Sequence, residues 1–118
     1  MAVLDEIDRL DLIKNANDVG EMLRSELAAR QDRYAVIGDV RGCGLFLGVE
    51  MVKSDEKKSP DSKITITIVN LLKDKGFLTS NDGSYGNVLK IRPPLVFSSD
   101  DAANFLIAFD EVMEGICG

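Results

Sequence analysis

An arginine at the end of a short apolar strand is the residue of this sequence best suited to binding chemistry. The stretch NVLKIRPPLVF, residues 87–97, alternates apolar and polar residues up to Arg92 and then meets Pro93 and Pro94. Proline fixes its own backbone and restricts the residue before it, so the pair predicts a defined place for Arg92. A guanidinium held there could bind a carboxylate or phosphate through two parallel hydrogen bonds. Spacing alone, however, favours a solvated arginine or one paired with a nearby Asp.

Other reactive side chains are few. The sequence has no histidine, and its two cysteines, Cys43 and Cys117, are far apart, so the ligand spacing of a zinc site is missing and we expect no metal. Two idle thiols are favoured over a disulfide, although the sequence leaves their redox state open. Because no secretory leader precedes the chain, we expect a reducing, cytoplasmic location.

Composition and charge exclude several classes of protein. The chain has 118 residues, enough for one domain with a single core, and a net charge of −6. That sign repels phosphate backbones and anionic membrane surfaces, so we expect no nucleic acid or membrane partner. No apolar run approaches the roughly 20 residues that a membrane-spanning helix needs.

Apolar spacing in the first half of the chain predicts one helix and one hairpin. An apolar stripe at steps of three and four predicts a helix over residues 4–30, with its inner face formed by Ile13, Ala16, Gly20, Leu23 and Leu27. Strict alternation then predicts antiparallel strands over residues 37–41 and 44–52, joined by a turn at positions 42 and 43. The next eleven residues, KSDEKKSPDSK, have no apolar side chain and indicate a solvated loop.

The second half begins with a conflict between two periodicities. ITITIVNLLKDKGF fits both a strand and a helix, and we predict a helix because Gly76 and Phe77 fit a left-handed cap with its hydrophobic contact. A short apolar stub follows, which we expect to form a short strand, and then a polar turn and a strand over residues 88–92. Ser98 and Asp101 form a capping-box pattern before a helix whose apolar face runs from Ala102 to Ile116.

This order of elements predicts an α+β fold. We expect a small antiparallel or mixed sheet of three or four strands with the helices packed on one face. By alternation, Leu89 and Ile91 should face the helices, while Val88, Lys90 and Arg92 share the open face.

Three segments in a fixed order carry a resemblance to a known family. IGDVRGCGLFLGVEMV, KGFLTSNDG and NVLKIRPPLVFSSDDAANFLIAFDEVM together resemble the C-terminal small domain of class III aminotransferases, which depend on pyridoxal phosphate (PLP) and have fold type I. NVLKIRPPL also resembles the branch that includes the ethanolamine-phosphate phospho-lyases. The resemblance implies that Arg92, before the diproline, binds the carboxylate of the substrate. Arg41 matches a family position too, but we interpret it and its glycine neighbours as shaping the strand turn and not as touching substrate, and we interpret Glu50 as structural.

The same resemblance implies that residues 1–118 are one C-terminal domain of a longer enzyme. In this family the Schiff-base lysine and the acidic partner of the cofactor lie on a large domain that precedes the small one. We therefore expect no catalytic residue and no cofactor-binding residue in this chain, and no activity from the chain alone. The full-length enzyme is expected to bind PLP and an amine or amino-acid substrate, and to form a homodimer.

Two other classes of function stay open on the sequence. A free-standing regulatory module that binds a small molecule would have its own pocket, and no large domain would be encoded upstream. An oligomerisation domain would have an apolar open face, against which Lys90 and Arg92 count. The sequence does not define the amino donor and acceptor, nor does it separate transamination from phosphate elimination.

Overall fold

The fold is a single antiparallel sheet covered by helices on one face. The computed structural model describes residues 6–54, 57–93 and 97–117. In chain order the elements are α1 (Glu6–Ala29), β1 (Ile37–Cys43), β2 (Phe46–Met51), α2 (Ser62–Asp74), β3 (Ser80–Asp82), β4 (Val88–Ile91) and α3 (Ser99–Cys117). The strands lie in the order β1-β2-β4-β3, and every neighbouring pair is antiparallel. The predicted α+β class and helix-covered sheet are confirmed.

The core lies between the inner face of the sheet and the three helices. The fully buried side chains with the largest volumes come from all three helices and both central strands, which makes one continuous core. They include Leu23, Leu47, Leu72, Leu89 and Phe109. The predicted alternation along β2 and β4 is confirmed, since the inward residues are buried and the others lie on the open face.

The predicted hairpin turn is wrong by two residues. β1 continues through Gly42 and pairs Cys43 with Phe46, so the turn lies at Gly44 and Leu45. Gly44 has φ of +57°, the left-handed conformation that glycine adopts most easily. Gly42 stays in the ladder, where a Cβ would lie 2.5 Å from the carbonyl oxygen of Phe46, so its glycine serves close approach and not the turn.

The inner face of α1 also differs from the prediction. Ile13 is 44% exposed and Val19 is buried, while Ala16, Gly20, Leu23 and Leu27 are buried as predicted. α1 lies close to the hairpin turn at Asn17 and Gly20, and Ile13 lies one turn before these residues. The predicted start at residue 4 lies outside the described residues.

The ambiguous segment is a helix, as predicted. Asp61 caps the first turn of α2. The hydroxyl of the buried Thr65 donates a hydrogen bond to the Asp61 carbonyl oxygen at 2.8 Å, so this buried polar group is satisfied within the helix. Gly76 has φ of +94°, and the Phe77 N–H donates to the Leu72 carbonyl at 2.9 Å. This arrangement is a Schellman cap, the ending that the sequence indicated.

The short third strand and the last helix complete the sheet and its cover. β3 is formed by exposed polar residues that the sequence assigned to a turn, and the apolar stub before it is not a strand. These polar residues form a strand because they pair with β4, where Ser80 lies opposite Lys90 in the ladder. At α3, the Asp101 N–H donates to Ser98 Oγ at 3.1 Å and the Ser98 N–H donates to Asp101 Oδ2 at 3.0 Å, which confirms the capping box.

Candidate functional site

The open face of the sheet carries the charged residues that the sequence singled out. Because directly paired residues of an antiparallel sheet share a face, Arg41 and Lys90 lie on either side of Gly48. Phe46 projects from the same face of β2 and is 49% exposed. This open face therefore places an aromatic ring among cations, and no helix described here covers it.

Arg92 lies just after β4 with an exposed side chain. Its Cζ is 5.1 Å from the centroid of the Phe46 ring, a cation–π distance. Of the arginines whose side chains the structure describes, it alone has no carboxylate within ion-pair distance. The structure therefore presents a guanidinium with unused hydrogen-bond donors.

The register of the sheet explains why Arg92 meets Phe46. Leu47 pairs with Ile91, so one further step along the same ladder places Phe46 opposite Arg92. Directly opposed side chains are the nearest neighbours on a sheet face. Pro93 follows and is half-buried, whereas Pro94 lies outside the described residues. The cross-strand pair thus places Arg92 independently of the predicted diproline restraint.

Lys90 is the second cation at the same ring. Its Nζ lies 5.1 Å from the Phe46 centroid and donates to Asp82 Oδ2 at 3.0 Å. The hydrogen bond from Lys90, and then one from the Gly83 backbone, lowers the pKa of Asp82. Lys90 is therefore neutralised locally, while Arg92 is not.

Arg41 lies within β1 and not at the hairpin turn, so the prediction that it shapes the turn is wrong. Its Nη1 donates to Glu50 Oε2 at 3.2 Å and to Asp39 Oδ2 at 3.0 Å across the β1–β2 pair. These hydrogen bonds, that of Glu50 first, raise the pKa of the guanidinium. The guanidinium of Arg41 is therefore compensated within the sheet by two carboxylates.

A cavity of about 310 Å³ lies beside Arg92, between the end of β4 and the helices. Its walls are mainly apolar, and they include Phe77, Phe97 and Phe105. Thr79 also lines it, and its Oγ1 is buried with no hydrogen-bond partner among the residues that the structure describes. The cavity thus combines an apolar wall with one unsatisfied hydroxyl and one cation at its edge.

A second hollow of about 400 Å³ lies on the open face itself. Phe46, Lys90, Val88 and Arg41 surround it, and its floor is Gly48, where a Cβ would approach Val88 Cγ1 to 3.2 Å. The missing side chain at Gly48 keeps this part of the face recessed.

The lysines of the chain do not form a PLP site. All eight lie in described residues, and seven are exposed. The eighth is Lys90, which is half-buried and paired with Asp82. A Schiff-base lysine is held in a desolvated site without a carboxylate partner, and none of these positions combines the two. The residues present therefore do not fit a cofactor that forms an imine with this chain.

The remaining candidates are quickly placed. Cys43 is a free, exposed thiol on the open face, and the side chain of Cys117 lies outside the described part of the chain. Among the described residues, no cluster of three or more Cys, Asp or Glu side chains could hold a metal ion. No helix in that part of the chain is long and apolar enough to cross a membrane.

Comparison with known proteins identifies the family. The family model described as aminotransferase class III matches residues 1–113. The chain belongs to the class III aminotransferases. It is 41% identical over 113 residues to the mitochondrial alanine–glyoxylate aminotransferase 2 homologue 2 of Arabidopsis thaliana, covering 96% of this chain and 24% of the relative. It is 36% identical over 114 residues to the ethanolamine-phosphate phospho-lyase homologue 1 of Caenorhabditis elegans, with the same two coverages of 96% and 24%.

A solved structure supports the same assignment. A phospholyase from Arthrobacter in complex with phosphoethanolamine superposes with a TM-score of 0.86 and 33% identity, over 92% of this chain and 26% of that one. The chain therefore spans about a quarter of the length of its relatives. The resemblance to this PLP-dependent enzyme family is confirmed, while the position of the chain within a longer protein and the cytoplasmic location stay predictions.

Sequence reasoning placed Arg92 and Lys90 on the open face but missed what they contact. The alternation along β2 already assigned Phe46 to that face. The sequence did contain a signal for this contact, an aromatic residue on the open face of one strand and alternating cations on the open face of another. The register between β2 and β4, however, was not known from the sequence. Only the register shows that these three side chains meet.

Proposed function

We propose that this chain is the C-terminal small domain of a PLP-dependent class III enzyme and that Arg92 binds the carboxylate of its substrate. The single observation that carries the proposal is the exposed guanidinium of Arg92, which has no carboxylate partner among the described residues. An anion that arrives from outside the chain can satisfy these donors bidentately. The chain then contributes orientation, because holding one end of a substrate fixes the geometry at its reacting carbon.

The cofactor belongs, in this proposal, to the part of the enzyme outside this chain. PLP would supply electron withdrawal from the substrate amine when bound there. The exposed lysines and the quarter-length match support this division of labour. We expect the isolated chain to retain no PLP and to transfer no amino group, and we expect the full-length protein to be a homodimer.

Phosphate elimination is the second candidate reaction. It is favoured by the similarity to the Arthrobacter phospholyase, whose structure contains phosphoethanolamine, and to the phospho-lyase homologue of C. elegans. A guanidinium binds phosphate as well as carboxylate, so Arg92 suits either substrate. A third candidate is a regulatory module without enzymatic activity. It predicts that the encoding reading frame does not continue upstream into a large domain with a Schiff-base lysine, and sequencing that frame tests the prediction.

The role of Arg92 is tested in the full-length protein with Arg92→Gln and Arg92→Lys. Transamination is assayed with L-alanine and glyoxylate, and phosphate release is assayed with phosphoethanolamine. Losing a charge-assisted hydrogen-bond pair should raise KM for the anionic substrate about 10- to 100-fold, with a sharp rise for the lysine variant as well. Arg24→Gln is the matched control, because Arg24 is paired with Glu21 on α1 and should leave KM unchanged.

An amine without a carboxylate or phosphate gives the internal comparison. Its KM should be insensitive to Arg92→Gln, since it has no group for the guanidinium to bind. A KM for the anionic substrate that barely changes in both Arg92 variants would show that the assigned role is wrong.

A further inference from the structure

The ring of Phe46 is the described contact that fixes the guanidinium of Arg92. Phe46 and Arg92 stand opposite one another across β2 and β4, and the ring centroid lies 5.1 Å from Cζ. Half of the Phe46 side chain is exposed, although a phenylalanine of a central strand could have been placed in the core. Its exposed position is what allows a cation to lie over its face.

We propose that Phe46 is a positioning residue for anion binding, acting through Arg92. This inference rests on the proposed function of Arg92. Arginine loses considerable side-chain freedom when it binds an anion in one geometry, and a contact that restricts the side chain beforehand lowers this cost. The flat face of the ring attracts the guanidinium without using its N–H donors, so they stay available to the anion.

The other contacts on this face explain why the ring matters more to Arg92 than to Lys90. Lys90 also lies 5.1 Å from the ring centroid, but its Nζ is held by Asp82 at 3.0 Å. Arg92 has no such carboxylate among the described residues. A carboxylate partner would compete with the substrate, whereas a ring holds the cation and leaves its charge uncompensated.

The test compares Phe46→Leu with Phe46→Tyr in the full-length protein. Leucine keeps an apolar side chain of similar size but removes the ring, and tyrosine keeps the ring. We expect Phe46→Leu to raise KM for a substrate that carries a carboxylate or phosphate group, L-alanine or phosphoethanolamine, about two- to fivefold, the factor that an exposed cation–π contact represents. The value of kcat should change little, and Phe46→Tyr should retain the original KM.

Two controls separate positioning from a structural effect. Tyr85→Leu removes another exposed aromatic side chain, which has no cation over its ring among the described residues, and should leave KM unchanged. In the Arg92→Gln background, Phe46→Leu should add no further change in KM, because its effect passes through the guanidinium. Independent effects that multiply in the double variant would overturn the inference.

Proton NMR of the full-length protein gives a readout that does not depend on turnover. The δ-methylene protons of Arg92 should be shifted upfield by the ring and should return to ordinary values in Phe46→Leu. If Arg92→Gln raises KM while Phe46→Leu changes neither KM nor this shift, the inference fails and the proposed function stands. If Arg92→Gln leaves KM unchanged, the proposed function fails, and the positioning role falls with it.

Discussion

Replacing Gly20 with alanine should destabilise the chain even though alanine is the better helix former. A Cβ built on Gly20 would lie 1.9 Å from the carbonyl oxygen of Gly44, where α1 crosses the hairpin turn. Ordinary contacts begin near 3.4 Å, so the helix and the turn would have to separate by about 1.5 Å. The neighbour is backbone in a left-handed turn, which cannot rotate away as a side chain could.

The magnitude follows from two opposing effects. Overpacking of this kind costs about 3 kcal/mol at the upper end of its usual range, and the helix propensity of alanine returns about 1 kcal/mol. We therefore expect a net loss of about 2 kcal/mol in the free energy of unfolding. For a chain of this size the melting temperature should fall by about 8 °C. Thermal unfolding followed by far-UV circular dichroism measures both quantities.

Gly115 is the matched control within the same chain. It lies in the last turns of α3, and an added Cβ would meet nothing within 4 Å. Gly115→Ala should therefore stabilise the chain by about 0.5 kcal/mol, since only the helix propensity changes. If Gly20→Ala were neutral or stabilising like Gly115→Ala, the close approach of α1 to the hairpin turn would be refuted.

Two further predictions concern the core and the ion pair between α1 and α3. Arg30 donates to Asp110 at 2.7 and 2.8 Å with both side chains mostly buried, so Asp110→Asn should cost about 2 kcal/mol of unfolding free energy at pH 7. Burial raises the pKa of Asp110, but its hydrogen bonds, that of Arg30 first, lower it further. The difference in unfolding free energy between the two proteins in urea titrations should therefore begin to shrink as the pH falls below the ordinary carboxyl value of 3.8 and should disappear only below the lowered pKa; a constant difference would contradict this. Leu72→Ala, at a fully buried position, should cost about 2–5 kcal/mol, whereas Leu78→Ala, 83% exposed, should stay within about 0.5 kcal/mol, and equal losses would show that the core is misplaced.

Features that depend on residues close together in the chain were predicted correctly from the sequence. The capping box of α3 and the left-handed end of α2 depend on residues within one turn of each other, and both are present as predicted. The hairpin turn was missed because Gly42 and Gly44 are equally suited to a turn when considered alone. The two glycines differ in that Gly42 packs closely against the β2 backbone, and that contact exists only after the strands pair.

Longer-range features required the fold itself. Ile13 follows the helical period of Ala16 and Leu23, yet it is 44% exposed. The expected short strand lies in the polar residues of β3 and not in the apolar stub before them, because the ladder with β4 gives these residues a strand conformation. In both cases contacts with the rest of the fold decide the outcome, and periodicity within one segment contains no information about those contacts.

The charge of the chain makes the isolation of Arg92 informative. Acidic residues exceed basic ones by six, and Arg24, Arg30, Arg33 and Arg41 all have carboxylate partners. In such a chain an arginine at a random surface position would commonly find an acid nearby. Around Arg92 the open face offers a ring and a second cation, and the nearest acid on that face is held by Lys90. A guanidinium without an ion-pair partner among the described residues is reasonable where an external anion supplies the missing charge.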